Sequence, residues 1–306
     1  MKNVIRSNRA LIGVIDTIQR RARYVLSPFA PRLVSRECYY STFKKKLNLK
    51  NPQLFNEKLM WLKLNRYAND PIVWECVDKY AVREYVKKHG LGEILNELYG
   101  VYDNADEIEW DKLPQKVVIK CNHGCGFNLI VKNKDTLDIK ATQKKLDKWM
   151  RTDSWRDFAE VQYRKTKKKI LCEKYLEGRN GALPVDYKFY CFNGEPKYIG
   201  NFIERNIEQH TIVRGYFNLD WTPSDVFIDK DKMDLSKFEK PTSLNKMIEC
   251  ARILSDGFPF VRVDLYEVNG KIYFGEMTFT PTGCLGNYYT DKAHKYLGDL
   301  LDISKC

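Results

Sequence analysis

The sequence predicts an α+β fold in which antiparallel hairpins alternate with helices, and three observations carry that expectation. Asn-Gly occurs twice between runs of alternating residues, at Asn193-Gly194 and Asn269-Gly270, and it is the strongest short-range signal of a two-residue hairpin. Segments with apolar residues at helical spacing lie before and between those hairpins. At 306 residues and 43% hydrophobic, the chain has length for about two domains and enough apolar surface for a large core. That composition argues against a disordered, collagen-like or low-complexity chain, and no internal repeat is visible.

In chain order, the first fifty residues form a basic arm. They hold twelve Lys and Arg against Asp16 and Glu37, so +10 of the formal +12 lies there and the remainder is nearly neutral. Leu11, Ile15, Ile18, Ala22 and Val25 recur at helical spacing, with Arg20, Arg21 and Arg23 off or flanking the stripe. Two readings fit this pattern: an interfacial helix on an anionic membrane, or a helix that packs its stripe on the protein's own core. Pro28 and Pro31 mark a break, and the Lys44–Lys46 run reads as a solvated turn. Leu54–Asn65 and Trp74–Lys88 read as amphipathic helices, the second stopped by Gly90 and Gly92. After Pro114, the β-rich run Val117–Lys120 leads into the loop Asn122–Gly126 and a second strand, Leu129–Lys132. Asp135–Met150 and Ser154–Lys165 have helical patterns. Past the basic turn Arg164–Lys169 come strands at Ile170–Leu176, Asp186–Phe192 and Lys197–Phe202. A helix over Ser243–Ser255 precedes the last hairpin, Val261–Val268 with Lys271–Phe279.

Several classes are excluded. No window approaches the length of apolar sequence that a membrane-spanning helix needs. The run Ala10–Ile15 before Asp16 is too brief for a signal peptide, and nine Cys without regular spacing do not form a disulfide framework. The chain therefore reads as cytoplasmic. A uniformly basic surface would point to nucleic acid, whereas a localised arm points to docking on another anionic partner.

Lys120 followed by a Gly-containing loop offers a cation and backbone N–H groups to phosphate oxygens, but neither the P-loop spacing nor a following helix is present. Cys121, His123 and Cys125 lack the second ligand pair that a zinc site requires. In the last hairpin, Arg262 and Asp264 share a face by period two. A strict Asn269-Gly270 turn sets Asp264 opposite Gly275 and sends Glu276 to the other face; a three-residue loop with a bulge pairs Asp264 with Glu276. The sequence leaves both open.

Taken together, the segments FNEKLMWLKL, DKYAVREYV, LPQKVVIKCNHGCG, ILCEKYLE, DYKFYCFNGEP, FVRVDLYEVNGKIYFGEMTFTPTG and YLGDLL occur in an order that resembles the TupA-like ATP-grasp family of surface-polysaccharide biosynthesis, within the carboxylate–amine ligase superfamily. The resemblance runs from about Phe55 to Leu300. It implies the ATP-grasp fold, with two α+β subdomains clamping ATP: the arm at 1–50, a helical region at 51–115, the small subdomain with its Gly loop at 116–176 and the large subdomain with the metal site at 177–306. It also implies roles. Lys79 and Lys120 hold ATP phosphates under the loop Asn122, His123, Gly124 and Gly126, with Lys120 also counted catalytic. Glu173, Lys174 and Leu176 receive adenine at the hinge, Asp186 meets the ribose, and Lys188 joins the nucleotide contacts. Asp264, Glu276 and Thr278 hold Mg²⁺, and Arg262 steadies developing negative charge. Thr278 stands where many relatives carry Asn, and Cys125 where Ser is common.

The implied activity is amide formation through an acyl phosphate, joining an amino compound to a uronic acid or other carboxylate of a cell-surface glycan. Its implied partners are those substrates and, through the arm, an anionic membrane or lipid-linked glycan at the inner face of the membrane, without nucleic acid. Rival readings are a phosphotransferase on the same ATP site, a glycosyltransferase using Asp229-Lys230-Asp231, and a polyanion-binding protein.

Overall fold

The computed structural model describes residues 17–178, 181–206, 211–227, 233–287 and 289–306. The pair Asp229/Asp231 and the stripe residues Leu11 and Ile15 fall outside them. Two antiparallel sheets organise the chain. The smaller has the order β1-β4-β2-β3, with β1 Leu98–Tyr102, β2 Val117–Cys121, β3 Asn128–Val131 and β4 Ile170–Lys174. The larger has the order β7-β6-β5-β8-β9, with β5 Asp186–Phe192, β6 Glu195–Asn206, β7 Thr211–Asn218, β8 Phe260–Val268 and β9 Lys271–Thr278. Neither β1 nor β7 is anticipated by the sequence pattern.

Both Asn-Gly pairs make two-residue turns, with Phe192 opposite Glu195 and Val268 opposite Lys271. All four turn residues take positive φ, which Asn and Gly adopt at least cost and which matches the strand twist. The last hairpin satisfies neither sequence alternative as stated. Its turn is strict and its register follows that turn as far as Leu265 opposite Phe274, but a bulge at Gly275 then sets Asp264 opposite Glu276. A Cβ on Gly275 would lie 2.8 Å from the Asp264 carbonyl oxygen, so the bulge needs glycine for want of space.

Helices cover both sheets. In the larger, one face packs on α7 (Leu244–Ser255) through Met247, Ala251 and Leu254, all buried. The turn end of the opposite face packs on α3 (Phe55–Asn65), where the Phe55 ring meets Phe192 and Phe260 at centroid distances of 5.6 and 5.3 Å. The far end of that same face is left for the cleft. Helix α8 (Asp291–Leu300) crosses the start of α3 at Gly298, and its terminal carbonyls at Gly298 and Leu301 each accept from Lys58 Nζ at 2.7 Å. In the smaller sheet, Val117, Ile119 and Cys121 pack with Leu146 of α6 (Ile139–Arg151), so Lys120 faces the cleft by alternation.

Two expected helices are broken. The run Trp74–Lys88 is two helices, α4 (Pro71–Val77) and α5 (Val82–Lys88), because Asp78 turns its carboxylate onto the N–H groups of Tyr80 and Ala81. Asp78 and Lys79 therefore sit in the break and not within a helix. Ser154–Lys165 is two 3₁₀ turns, Ser154–Asp157 and Val161–Lys165, separated by Ala159 at φ 51°. The interruption lets the Phe158 carbonyl accept from the buried Lys63 Nζ at 2.7 Å and lets Glu160 reach Thr280 at 2.5 Å.

The arm begins with α1, a helix over residues 17–26, and α2 (Pro31–Phe43). Of the two readings of the arm, the one that packs its stripe on the core does not fit the described residues: Ile18, Ala22 and Val25 are exposed. Polar contacts hold α1 instead. No helix among the described residues is long and apolar enough to cross a membrane.

Candidate functional site

The cleft has an acidic floor on the larger sheet. The bulge at Gly275 places Glu276 beside Asp264, while Lys188 lies opposite Asp264 on β5 and Arg262 opposite Thr278 on β9. Asp264 is buried and fully engaged: its oxygens accept from Arg262 Nε and Nη2 at 2.6 and 2.7 Å and from Lys188 Nζ at 2.5 Å. Lys188 Nζ also meets Asp186 at 2.5 Å. The other Asp186 oxygen is buried without a hydrogen-bond donor, and burial raises the pKa of its carboxyl despite Lys188. That oxygen is an acceptor waiting for a donor, which suits the ribose hydroxyl the resemblance implies there.

Glu276 differs from Asp264 in being open, with 41% of its side-chain surface exposed to the cleft. Partial burial alone would push its carboxyl up, but Lys79, Arg262 and Lys188 outweigh that and hold it at about 2. Lys79 belongs to the α4–α5 break, and α4 packs against β9, the strand that carries Glu276. Thr278 donates its hydroxyl to Glu276 Oε1 at 3.1 Å and accepts from Arg262 Nη2 at 3.1 Å. These two bonds orient Glu276 and stiffen Arg262, and they leave one lone pair of the hydroxyl oxygen for the metal contact that the resemblance implies.

The roof carries two cations, Lys120 from the smaller sheet and Lys79 from the α4–α5 break. Lys120 and Glu173 share the sheet's cleft face and pair at 2.7 Å, with Glu173 also 3.5 Å from Asn96 Nδ2. Lys79 Nζ donates to the Gly124 carbonyl at 2.6 Å, drawing the Gly loop toward the floor. Gly124 and Gly126 both have positive φ, and a Cβ on Gly124 would overlap Ser154 Oγ at 1.9 Å. Asn122 ties the loop down: its amide nitrogen donates to Asp78 and to the Lys167 carbonyl, each at 2.8 Å, and its amide oxygen accepts from Lys169 N–H at 2.7 Å.

Two expected contributors face elsewhere. The His123 ring is buried against Phe127, with Nε2 3.1 Å from the Trp149 carbonyl and 3.2 Å from that of Thr152. Burial lowers its pKa to about 4, so the ring is a neutral donor to the carbonyls at the end of α6. Lys174 is exposed, with Nζ 3.4 Å from Glu97, and its backbone N–H and C=O are taken by the Glu97 carbonyl and Asn96 Nδ2. Leu176 lies beyond the end of β4. Sequence reasoning missed Tyr163, whose phenol burial pushes well up and which lies within electrostatic reach of Glu160, Glu276, Cys125 and Arg262. The signal was masked by the helical pattern across 154–165, which gives no hint of the turn that delivers it.

Among the described residues, no three His, Cys, Asp or Glu side chains gather into a ready-made metal cage. Two adjacent carboxylates are nonetheless a donor set that fits Mg²⁺, which binds hard oxygens and takes most of its remaining ligands from water and phosphate. The open, ionised Glu276 is the member of the pair prepared to bind; Asp264 shares its oxygens with Arg262 and Lys188.

A D-alanine–D-alanine ligase from Bacillus anthracis aligns with 74% of this chain and 66% of its own at 16% identity, TM-score 0.44. An ADP complex of N5-carboxyaminoimidazole ribonucleotide synthetase aligns with 73% of this chain and 50% of its own at 13% identity, TM-score 0.44. A D-cycloserine synthetase gives 76% and 72% at 13% identity, TM-score 0.42. The chain thus spans two thirds or less of the first two. No curated protein sequence matches it. A family model described as TupA-like ATP-grasp matches residues 57–302.

Proposed function

Because the chain belongs to the TupA-like ATP-grasp family, we propose that it is an ATP-dependent carboxylate–amine ligase. The γ-phosphoryl group of ATP passes to a carboxylate, ADP leaves, and an amine displaces phosphate from the acyl phosphate to form an amide. We extend the reading to a carboxylate on a cell-surface glycan or its precursor, the class that the resemblance implies. The observation that carries the proposal is the bulge at Gly275, which puts Asp264 and Glu276 side by side on the cleft face next to Arg262.

Each residue has work that its chemistry can do. Lys79 and Lys120 are cations on the roof, placed to meet phosphate oxygens; both now rest on oxygens within the protein, Gly124 O and Glu173, which a phosphate would replace. Arg262 is held in its buried place by Asp264 and Thr278, and a fixed guanidinium is suited to negative charge that develops during transfer. Glu276 and Asp264 would hold Mg²⁺, which when bound neutralises phosphate charge. Lys188 keeps Asp186 and Asp264 in place without a water-exposed ion pair. No side chain is required as a covalent nucleophile, and the buried Cys121, Cys172, Cys191 and Cys284 have thiol pKa values raised by burial to about 12, which keeps them inert.

The test is an ADP-release screen of ATP and Mg²⁺ against paired panels of sugar acids and amines, with mass spectrometry of the products. An amide formed only when both partners are present supports the ligase. A phosphorylated product without amide, under conditions where ADP is released, identifies a phosphotransferase and overturns it.

A further inference from the structure

The arm is folded inside out with respect to an ordinary surface helix. On α1, the positions facing the protein are Arg20, Arg23, Tyr24 and Ser27, spaced to share one side. Arg20 forks onto Asp157 at 3.1 and 2.9 Å, Arg23 pairs with Glu37, Tyr24 accepts from Asp153 N–H at 3.2 Å, and the buried Ser27 donates to the Arg156 carbonyl at 2.6 Å. These contacts set the rotation of the helix. They turn Ile18, Arg21, Ala22 and Val25 outward, with Ile18 61% and Val25 62% exposed.

Exposed apolar side chains recur in the turn after α1 and on α2. Phe29 is 84% exposed and Leu33 57%. In α2 the inward positions are Val34, Ser35, Cys38 and Tyr39, all buried, so Leu33, Arg36 and Tyr40 share the outward side. Large apolar side chains therefore line the outer surface of both helices, with Arg21 and Arg36 among them and Lys44–Lys46 beyond. Apolar side chains interleaved with long cationic ones, whose stems lie along apolar surface and whose heads reach outward, match the boundary of an anionic bilayer. A second copy of this chain would bring the same +10 arm against itself, and a neutral apolar partner would leave that charge unused.

We propose that the outer face of α1 and α2 docks on a phospholipid bilayer rich in anionic headgroups, with Val25, Phe29 and Leu33 entering the interface and Arg21 and Arg36 contacting the headgroups. Such docking is peripheral and independent of the ligase reading. On its inner side α1 is anchored on Asp153, Arg156 and Asp157, at the start of the segment that runs on to Glu160.

The test is sedimentation of the full chain with vesicles of phosphatidylcholine alone, or with about one third phosphatidylglycerol, across a salt series. The expected result is binding to the anionic vesicles only, weakened as salt rises. Val25→Ser/Phe29→Ser/Leu33→Ser should lower the bound fraction about tenfold at unchanged melting temperature, since these side chains are exposed. Arg21→Gln/Arg36→Gln, which leaves the apolar residues intact, should flatten the salt dependence. Failure of the wild type to sediment with anionic vesicles overturns the proposal, as does a triple variant that binds like the wild type. Analytical ultracentrifugation showing a wild-type dimer that the triple variant dissociates, without vesicle binding, also overturns it and assigns the face to a second copy.

Discussion

The larger sheet contains two hairpins with the same Asn-Gly turn and different fates. In β5–β6 the extra residue of the second strand is Lys197, close to the turn and exposed, between the pairs Cys191–Pro196 and Tyr190–Tyr198. In β8–β9 the extra residue is Gly275, farther from the turn and inside the cleft. A turn sets register only as far as the next irregularity; beyond it, a bulge decides which side chains share a face. The position of one inserted residue therefore separates a structural hairpin from one that carries paired carboxylates.

The sharpest way to break this comparison is to remove the charge that the second bulge delivers. Glu276→Gln should lower ATP turnover by about a thousandfold or more while leaving the melting temperature within a few degrees; near-normal turnover would remove Glu276 from the site. Gly275→Ala attacks the bulge itself. Its Cβ meets the Asp264 carbonyl oxygen at 2.8 Å and the Tyr266 ring at 3.0 Å, so a loss of about 1–3 kcal/mol and a clear drop in turnover are expected. Unchanged chemical denaturation and turnover would show that the register does not depend on glycine.

A third hairpin, β2–β3, closes through the Gly loop and extends the comparison to pH. His123 there is buried neutral with its pKa lowered to about 4 from an ordinary 6.5. The unfolded chain takes up its proton first on acidification, so the stability is full above pH about 6.5 and falls as pH approaches 4, with about 2 kcal/mol lost from this group at pH 5. His123→Gln should lack that increment in denaturation measured at pH 7.5 and 5, and an identical loss in both proteins would contradict it. The smallest effect belongs to the first bulge: Lys197→Ala should change stability by no more than about 0.5 kcal/mol and leave turnover intact. A loss comparable to that of Gly275→Ala would erase the distinction between the hairpins.

What the sequence showed well was local. Asn-Gly identified both turns to the residue, and periodicity located α3 and α7 within a residue or so. What it hid depended on contacts distant in the chain. The apolar period runs straight through Asp78, and only the presence of Asn122 and the capping N–H groups makes a break there favourable. The segment 154–165 keeps a helical pattern, yet Lys63 binds the Phe158 carbonyl and Thr280 the Glu160 carboxylate on either side of Ala159. Strand β7 carries Gly215 in its middle, which weakens the pattern; a Cβ there would lie 2.8 Å from the Phe238 ring, a contact no local window contains. For the cleft, the pairing of Asp264 with Glu276 was one of two open registers, and the resemblance favoured it before the bulge gave the physical reason.

The two turns also have different chemical lifetimes. Asn followed by Gly is prone to cyclise through its own side-chain amide and reopen as an aspartyl or isoaspartyl linkage, a common route by which stored proteins age. Asn193 has its amide held by the Leu300 carbonyl at 2.9 Å and accepts from Asp302 N–H, so the end of α8 shields it from this reaction. Asn269 sits at an exposed tip, and an isoaspartyl link there would lengthen the backbone between β8 and β9. Decay of a preparation over months would then begin at a turn remote from the carboxylates yet joined to them by the same two strands, and peptide mapping would detect it at Asn269 before Asn193.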